Sequence, residues 1–199
     1  MSTVKSKKLQ VGTDATSSNN FTIYQPATPD GTLRIGVGNA DSPTEVGRFT
    51  SAGYKPATAP AFSATVSTSQ TVTSSTFTKV QFPVEDFDTN SNYDNSTNYR
   101  FTPTVAGYYQ INSNVSVNDN NGTAWIMIYK NGSVYIAGSR VLTDLSVIAN
   151  KISQVAGLVY LNGSTDYVEI YVYHTTSPNT TLNSSPAYCR FSGILVQQA

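Results

Sequence analysis

Residues 124–136 read Ala124-Trp125-Ile126-Met127-Ile128-Tyr129-Lys130-Asn131-Gly132-Ser133-Val134-Tyr135-Ile136. Two runs of apolar, β-branched and aromatic residues flank Asn131-Gly132. That dipeptide accepts positive φ at both central positions of a type I′ turn. The spacing predicts a β-hairpin, and the stretches on either side repeat its strand signal.

Upstream, Tyr108 begins a long run in which Tyr109, Ile111, Ser113, Val115 and Val117 fall on one face by period-two alternation. Before it, residues 61–66 alternate, 77–82 read as a strand, 84–98 are polar and acidic and read as a long loop, and 98–102 read as a short strand. Downstream, a second hairpin is expected from 155–161 over Asn162-Gly163-Ser164-Thr165-Asp166 into 167–173, and a last strand over 188–196. Residues 141–150 read as a helical turn or a connecting loop. About nine or ten strands in roughly 140 residues predict an all-β sandwich or jelly roll.

Residues 1–58 form a separate block with shorter alternations: Leu9 and Val11, Phe21 and Ile23, then Leu33, Ile35 and Val37. Gly12-Thr13-Asp14, Pro29-Asp30-Gly31 and Gly38-Asn39-Ala40-Asp41 end them as turns. The apolar side chains are too few for an independent core, so this block is expected to pack against its own copies or another protein. Residues 51–60, small and with two prolines, read as a linker. The expected organisation is therefore an attachment or oligomerisation segment, 1–58, and a head, 59–199.

Composition excludes several classes. Twelve basic and twelve acidic residues give zero formal charge, so there is no surplus to neutralise phosphates and no nucleic-acid partner is expected. One cysteine and one histidine make neither an internal disulfide nor a thiolate or histidine metal centre. No apolar run has the length of a membrane-spanning helix, so no membrane insertion is expected. The lysines near Met1 have no apolar stretch behind them and do not read as a secretory signal. Disorder is opposed by 39% hydrophobic and 11% aromatic residues.

The motifs of the second block carry a family resemblance. Tyr99-Arg100-Phe101-Thr102-Pro103-Thr104-Val105-Ala106-Gly107-Tyr108-Tyr109 resembles the Phe-x-x-Pro-x-x-Gly-x-Tyr segment of the C1q-like globular head, with Pro103 one place early. In the same order follow similarities of Ala61-Phe62-Ser63-Ala64 to the opening strand and of Lys79-Val80-Gln81-Phe82 with Asn92-Tyr93-Asp94 to the early strand and its loop. Tyr129-Lys130-Asn131-Gly132 resembles the central hairpin, and Phe191-Ser192-Gly193-Ile194-Leu195 the closing strand. The resemblance covers about residues 60–199. It implies a ten-strand jelly roll shared with tumour-necrosis-factor-like cytokines and a homotrimer about a threefold axis. No Gly-X-Y stalk precedes the head. In the first block, Lys8-Leu9-Gln10-Val11-Gly12-Thr13, Ser17-Ser18-Asn19-Asn20-Phe21-Thr22 and Asp30-Gly31-Thr32-Leu33-Arg34-Ile35-Gly36-Val37-Gly38 resemble attachment segments of bacteriophage fibre and virion proteins. Some phage fibres and head decorations, notably in phages of cyanobacteria, carry C1q-like tips.

Candidate chemistry is sparse. Glu85, Asp86, Asp88 and Asp94 offer oxygen ligands to calcium, the one cofactor considered, but lack EF-hand spacing, and a solvated loop is the favoured reading. His174 and Cys189 lie in strand patterns without a Gly-x-Ser-x-Gly elbow, so no catalytic residue is assigned and the chain is not expected to be an enzyme. Phe101, Tyr109, Trp125, Tyr171 and Phe191 are assigned to the core or the threefold interface. Asn118, Asp119 and Asn179 are the candidate glycan contacts, with turn chemistry as the plainer role. The eight Asn-x-Ser/Thr sites fit chance in so Asn-, Ser- and Thr-rich a chain. The expectation is a virion structural protein, a fibre or capsid decoration, anchored to other virion proteins through 1–58. A receptor-binding tail-fibre tip is the alternative, and a glycan-cleaving particle enzyme the remote one.

Overall fold

Alternation becomes pairing throughout the chain, because a strand with one apolar face is stable only when its backbone is paired and that face is covered. The computed structural model describes residues 7–57, 59–118, 122–143, 151–175 and 178–199. The chain divides into two compact units, Met1–Ala59 and Pro60–Ala199.

The first unit is an antiparallel meander of β1 (Lys8–Val11), β2 (Phe21–Tyr24), β3 (Leu33–Val37), β4 (Thr44–Thr50) and β5 (Gly53–Pro56), paired in sequence order. The three predicted alternations form β1, β2 and β3. The expected linker over 51–60 is corrected in its first half. Ser51 and Ala52 close a tight turn, with Gly53 at φ 107°, and β5 pairs with β4 from Thr50↔Gly53 to Gly47↔Pro56. Among the described residues of this unit no apolar side chain is buried. What is buried is polar. Asn20 Nδ2 donates to Asp14 O (2.9 Å) and Asn39 Oδ1 (2.8 Å), its Oδ1 accepts from Asp14 N (2.9 Å), and Thr22 Oγ1 donates to Gly38 O (2.9 Å).

The second unit holds β6 (Ala61–Thr65), β7 (Thr71–Val72), β8 (Thr78–Lys79), β9 (Val84–Asp88), β10 (Tyr93–Asp94), β11 (Arg100–Phe101), β12 (Ala106–Val117), β13 (Gly122–Lys130), β14 (Ser133–Thr143), β15 (Lys151–Asn162), β16 (Val168–His174), β17 (Thr180–Thr181) and β18 (Arg190–Gln198). Two sheets face each other, β15-β12-β18-β6-β9 and β10-β11-β16-β13-β14, with β8 beside β16 and β7 paired with β17. All described pairings are antiparallel, as an all-β jelly roll requires.

The Asn131-Gly132 hairpin is present, with φ 52° and 79° at the two turn residues. The second expected hairpin is not. Residues 155–161 and 168–173 are strands, but β15 pairs with β12 over twelve register positions and β16 pairs with β13, so residues 163–167 carry the chain from one sheet to the other. The Asn162 side chain makes this corner: its Oδ1 accepts from the backbone N–H of Ser164 (3.0 Å), Thr165 (2.9 Å) and Asp166 (3.0 Å). The acidic stretch 84–98 is likewise not one loop. Val84–Asp88 pairs with β6 as an edge strand, where outward carboxylates are tolerated and discourage further pairing. Of the run 77–82 only Thr78–Lys79 is strand, and the last strand begins at Arg190. Of 141–150, Val141 to Thr143 belong to β14, and 144–150 lie outside the described residues.

The core lies between the sheets. The β12 face predicted from alternation points into it: Tyr109, Ile111, Val115 and Val117 are fully buried and Ser113 nearly so. At its centre Phe62 stacks on Tyr93 (5.0 Å, 8°) and Phe101 (4.4 Å, 19°) and meets Phe191 edge-on (4.8 Å, 85°). Gly193 leaves room for this, since a Cβ there would come within 2.7 Å of the Phe62 ring. Tyr109 donates its hydroxyl to Val105 O (2.7 Å), and burial pushes its ionisation up to about 12.

Candidate functional site

The titratable side chains do not converge. Asp86 pairs with Arg190 (2.6 Å) and accepts from Ser63 Oγ (2.9 Å). Asp88 accepts from the backbone N–H of Asn90 (3.0 Å) and Tyr93 (2.6 Å). Asp94 accepts from the N–H groups of Ser96, Thr97 and Asn98. Glu85 is exposed on β9. Asp86, Asp88 and Asp94 are thus committed to separate partners, and among the described residues no three His, Cys, Asp or Glu side chains form a metal cluster. His174 is fully buried, with Nε2 2.9 Å from Val72 O and Nδ1 without a hydrogen-bond partner. Cys189 is buried too, and burial pushes its thiol up, away from the reactive thiolate.

What the second unit offers is surface. The outward face of β15-β12-β18-β6-β9 has two halves. Tyr108 pairs across strands with Tyr160, and Gln110 with both Leu158 and Ile194. Together with Val196 these make an apolar patch, in which Leu158 is 56% and Val196 60% exposed. Beside it Lys130 Nζ donates to Tyr160 O (2.8 Å) and pairs with Asp166 (2.9 Å), which neutralises the patch's nearest cation. Toward the other end the same face turns polar. Asn112, Asn114, Ser139, Gln154, Arg190 and Ser192 line a hollow of about 510 Å³.

The sequence-predicted aromatics separate into two groups. Phe101, Tyr109 and Phe191 are in the core. Trp125 and Tyr171 stand half-buried on the outer face of the opposite sheet, in a row with Tyr173, Phe77 and Tyr129. Tyr129 stacks on Tyr171 at 3.9 Å and Arg140 covers Trp125 at 4.6 Å, so ring faces in this row are occupied by neighbours.

Asn118 and Asn179 come together at one end of the unit. Asn118 Nδ2 donates to Thr181 Oγ1 (3.2 Å) and Leu182 O (3.3 Å), its backbone O accepts from Thr180 Oγ1, and Asn179 Oδ1 accepts from Ser74 N (3.1 Å). Asp119 lies outside the described residues. Pro60 is at the opposite end, where its carbonyl accepts from Leu195 N (2.9 Å) and the strands run away from it through Ala61↔Ile194 to Thr65↔Arg190.

In three dimensions the chain matches murine APRIL solved at pH 8.0 with a TM-score of 0.55 at 12% identity, covering 70% of this chain and 100% of that one. The same protein at pH 5.0 matches with 0.55 at 13% identity over the same shares. The second unit is a TNF-like jelly roll. Eiger TNF from S. frugiperda matches with a TM-score of 0.46 at 13% identity, over 71% of this chain and 93% of that one. No protein-family profile and no curated protein matches the sequence. The uncovered apolar patch thus lies on a TNF-like head. Sequence reasoning did not single out that patch, because alternation marks Leu158 and Ile194 as outward without showing whether a further layer covers them.

Proposed function

We propose that this chain is a structural protein of a phage virion, a fibre or capsid decoration, in which three TNF-like heads associate through the outward face of β15-β12-β18-β6-β9. The observation that carries the reading is the uncharged apolar patch of Tyr108, Tyr160, Leu158, Ile194 and Val196 on that face. Such a patch on a soluble fold marks an interaction surface, and self-association would remove it from water. The virion setting rests on the resemblance of the first block to phage attachment segments. The end of each head remote from Pro60, with Asn118 and Asn179, would face outward and supply weak contacts to host surface glycans.

The test is mass spectrometry and cryo-electron microscopy of purified particles. Three heads per projection, on the capsid or the tail, are expected. Absence of the chain from the particles overturns the reading.

A further inference from the structure

The first unit has two unlike faces. Leu9, Val11, Phe21, Ile23, Leu33, Ile35, Val37, Phe49 and Tyr54 share one, as the register Leu9↔Ile23↔Ile35 and Leu33↔Phe49↔Tyr54 requires. Most are widely exposed, Leu9 to 59% and Val11 to 57%. The ion pairs lie on the other face, where Arg34 pairs with Asp30 (2.6 Å) and Glu45 (3.1 Å) and Arg48 with Glu45 (2.6 Å). A sheet that buries none of its apolar side chains cannot offset the entropy of ordering its chain. Its apolar face is therefore covered in the working protein.

We infer that two further copies of the same face cover it, so that the three N-terminal sheets close into a second trimeric junction with apolar sides inward. The inference rests on the trimeric head proposed above. Two observations select copies over a foreign protein. Apart from Lys7 at its rim, opposite Gln25, the face carries no charge, so it needs no complementary partner and is compatible with itself. Only residues 57–60 separate β5 from β6, so sheets tethered to one head trimer meet at an effective concentration on the order of millimolar, where a small face suffices.

The experiment uses the full chain. Ile23→Cys, on the apolar face, and Tyr24→Cys, on the charged face, are treated with a short bis-maleimide, with wild type as the control for the buried Cys189. Native mass spectrometry is run on the same samples. Covalent dimers at least about ten-fold more abundant for Ile23→Cys than for Tyr24→Cys, within a trimer, are expected. A trimer in which Ile23→Cys labels without cross-linking overturns the inference and leaves the head reading standing. A monomer overturns the head reading and this inference with it. A cross-link from Ile23→Cys to a different virion protein in particles also overturns it. If either variant misfolds, amide exchange of wild type decides: slow exchange over 33–37 is expected, and exchange at the unfolded-chain rate overturns the second junction.

Discussion

At the scale of single residues, Asp94 shows how a carboxylate that looks like a metal ligand serves as a turn cap. The N–H groups of Thr97 and Ser96, and then the Asn98 amide, hold its carboxyl well below the ordinary 3.8. A depressed folded value adds stability that is complete above 3.8 and is lost as pH falls through the folded value. Asp94→Ala is therefore expected to lower stability by about 1 kcal/mol at pH 7, modest because the site is open to solvent. Urea midpoints of the two proteins should converge in strong acid. A difference that persists there would mean that the charge is not its source. Phe62 works by packing alone. Phe62→Ala empties the space between Tyr93, Phe101 and Phe191 and should cost about 3–5 kcal/mol, read by chemical denaturation.

At the scale of elements, two turns with similar sequence signals behave differently. In Asn131-Gly132 both residues sit at positive φ, and Asn131 also ties the hairpin to the neighbouring corner, donating to Asp166 Oδ1 (2.8 Å) and accepting from Tyr167 N (3.0 Å). Gly132→Val forces a β-branched side chain into that conformation and is expected to cost at least about 1–2 kcal/mol in a thermal melt, with Gly132→Asn costing less. Equal losses would show that the backbone conformation is not the cause. Asn162-Gly163 also lies between two apolar runs, yet Asn162 caps a corner between sheets. A two-residue turn fixes its strands side by side, whereas a five-residue connection leaves the choice of partner to the strands. β15 finds in β12 a match along its whole length.

At the scale of the whole molecule, the apolar patch on the head should govern assembly. Leu158→Asp places a charge in the patch, where association would strip it of water. The variant is expected to give folded monomeric heads in sedimentation, with a circular dichroism spectrum like wild type. A trimer of unchanged stability would remove this face from the interface. Leu158 is exposed in the single chain, so the substitution costs the fold itself little.

Local chemistry determined a good deal here by itself. Period-two alternation and the Asn-Gly turn specified an all-β chain, the inward face of β12 and the first three strands of the N-terminal sheet, because these depend on residues within one strand or turn of each other. The ordered motifs from Ala61 to Leu195 pointed to the jelly roll. Only the tertiary structure decided which strands pair across long separations, that Val84–Asp88 is an edge strand, that Gly53–Pro56 extends the first sheet, and that the four acidic candidates stand apart. It also decided which apolar residues remain uncovered. Alternation marks a face as apolar, but whether that face meets a second sheet or water depends on how many layers the chain closes around it.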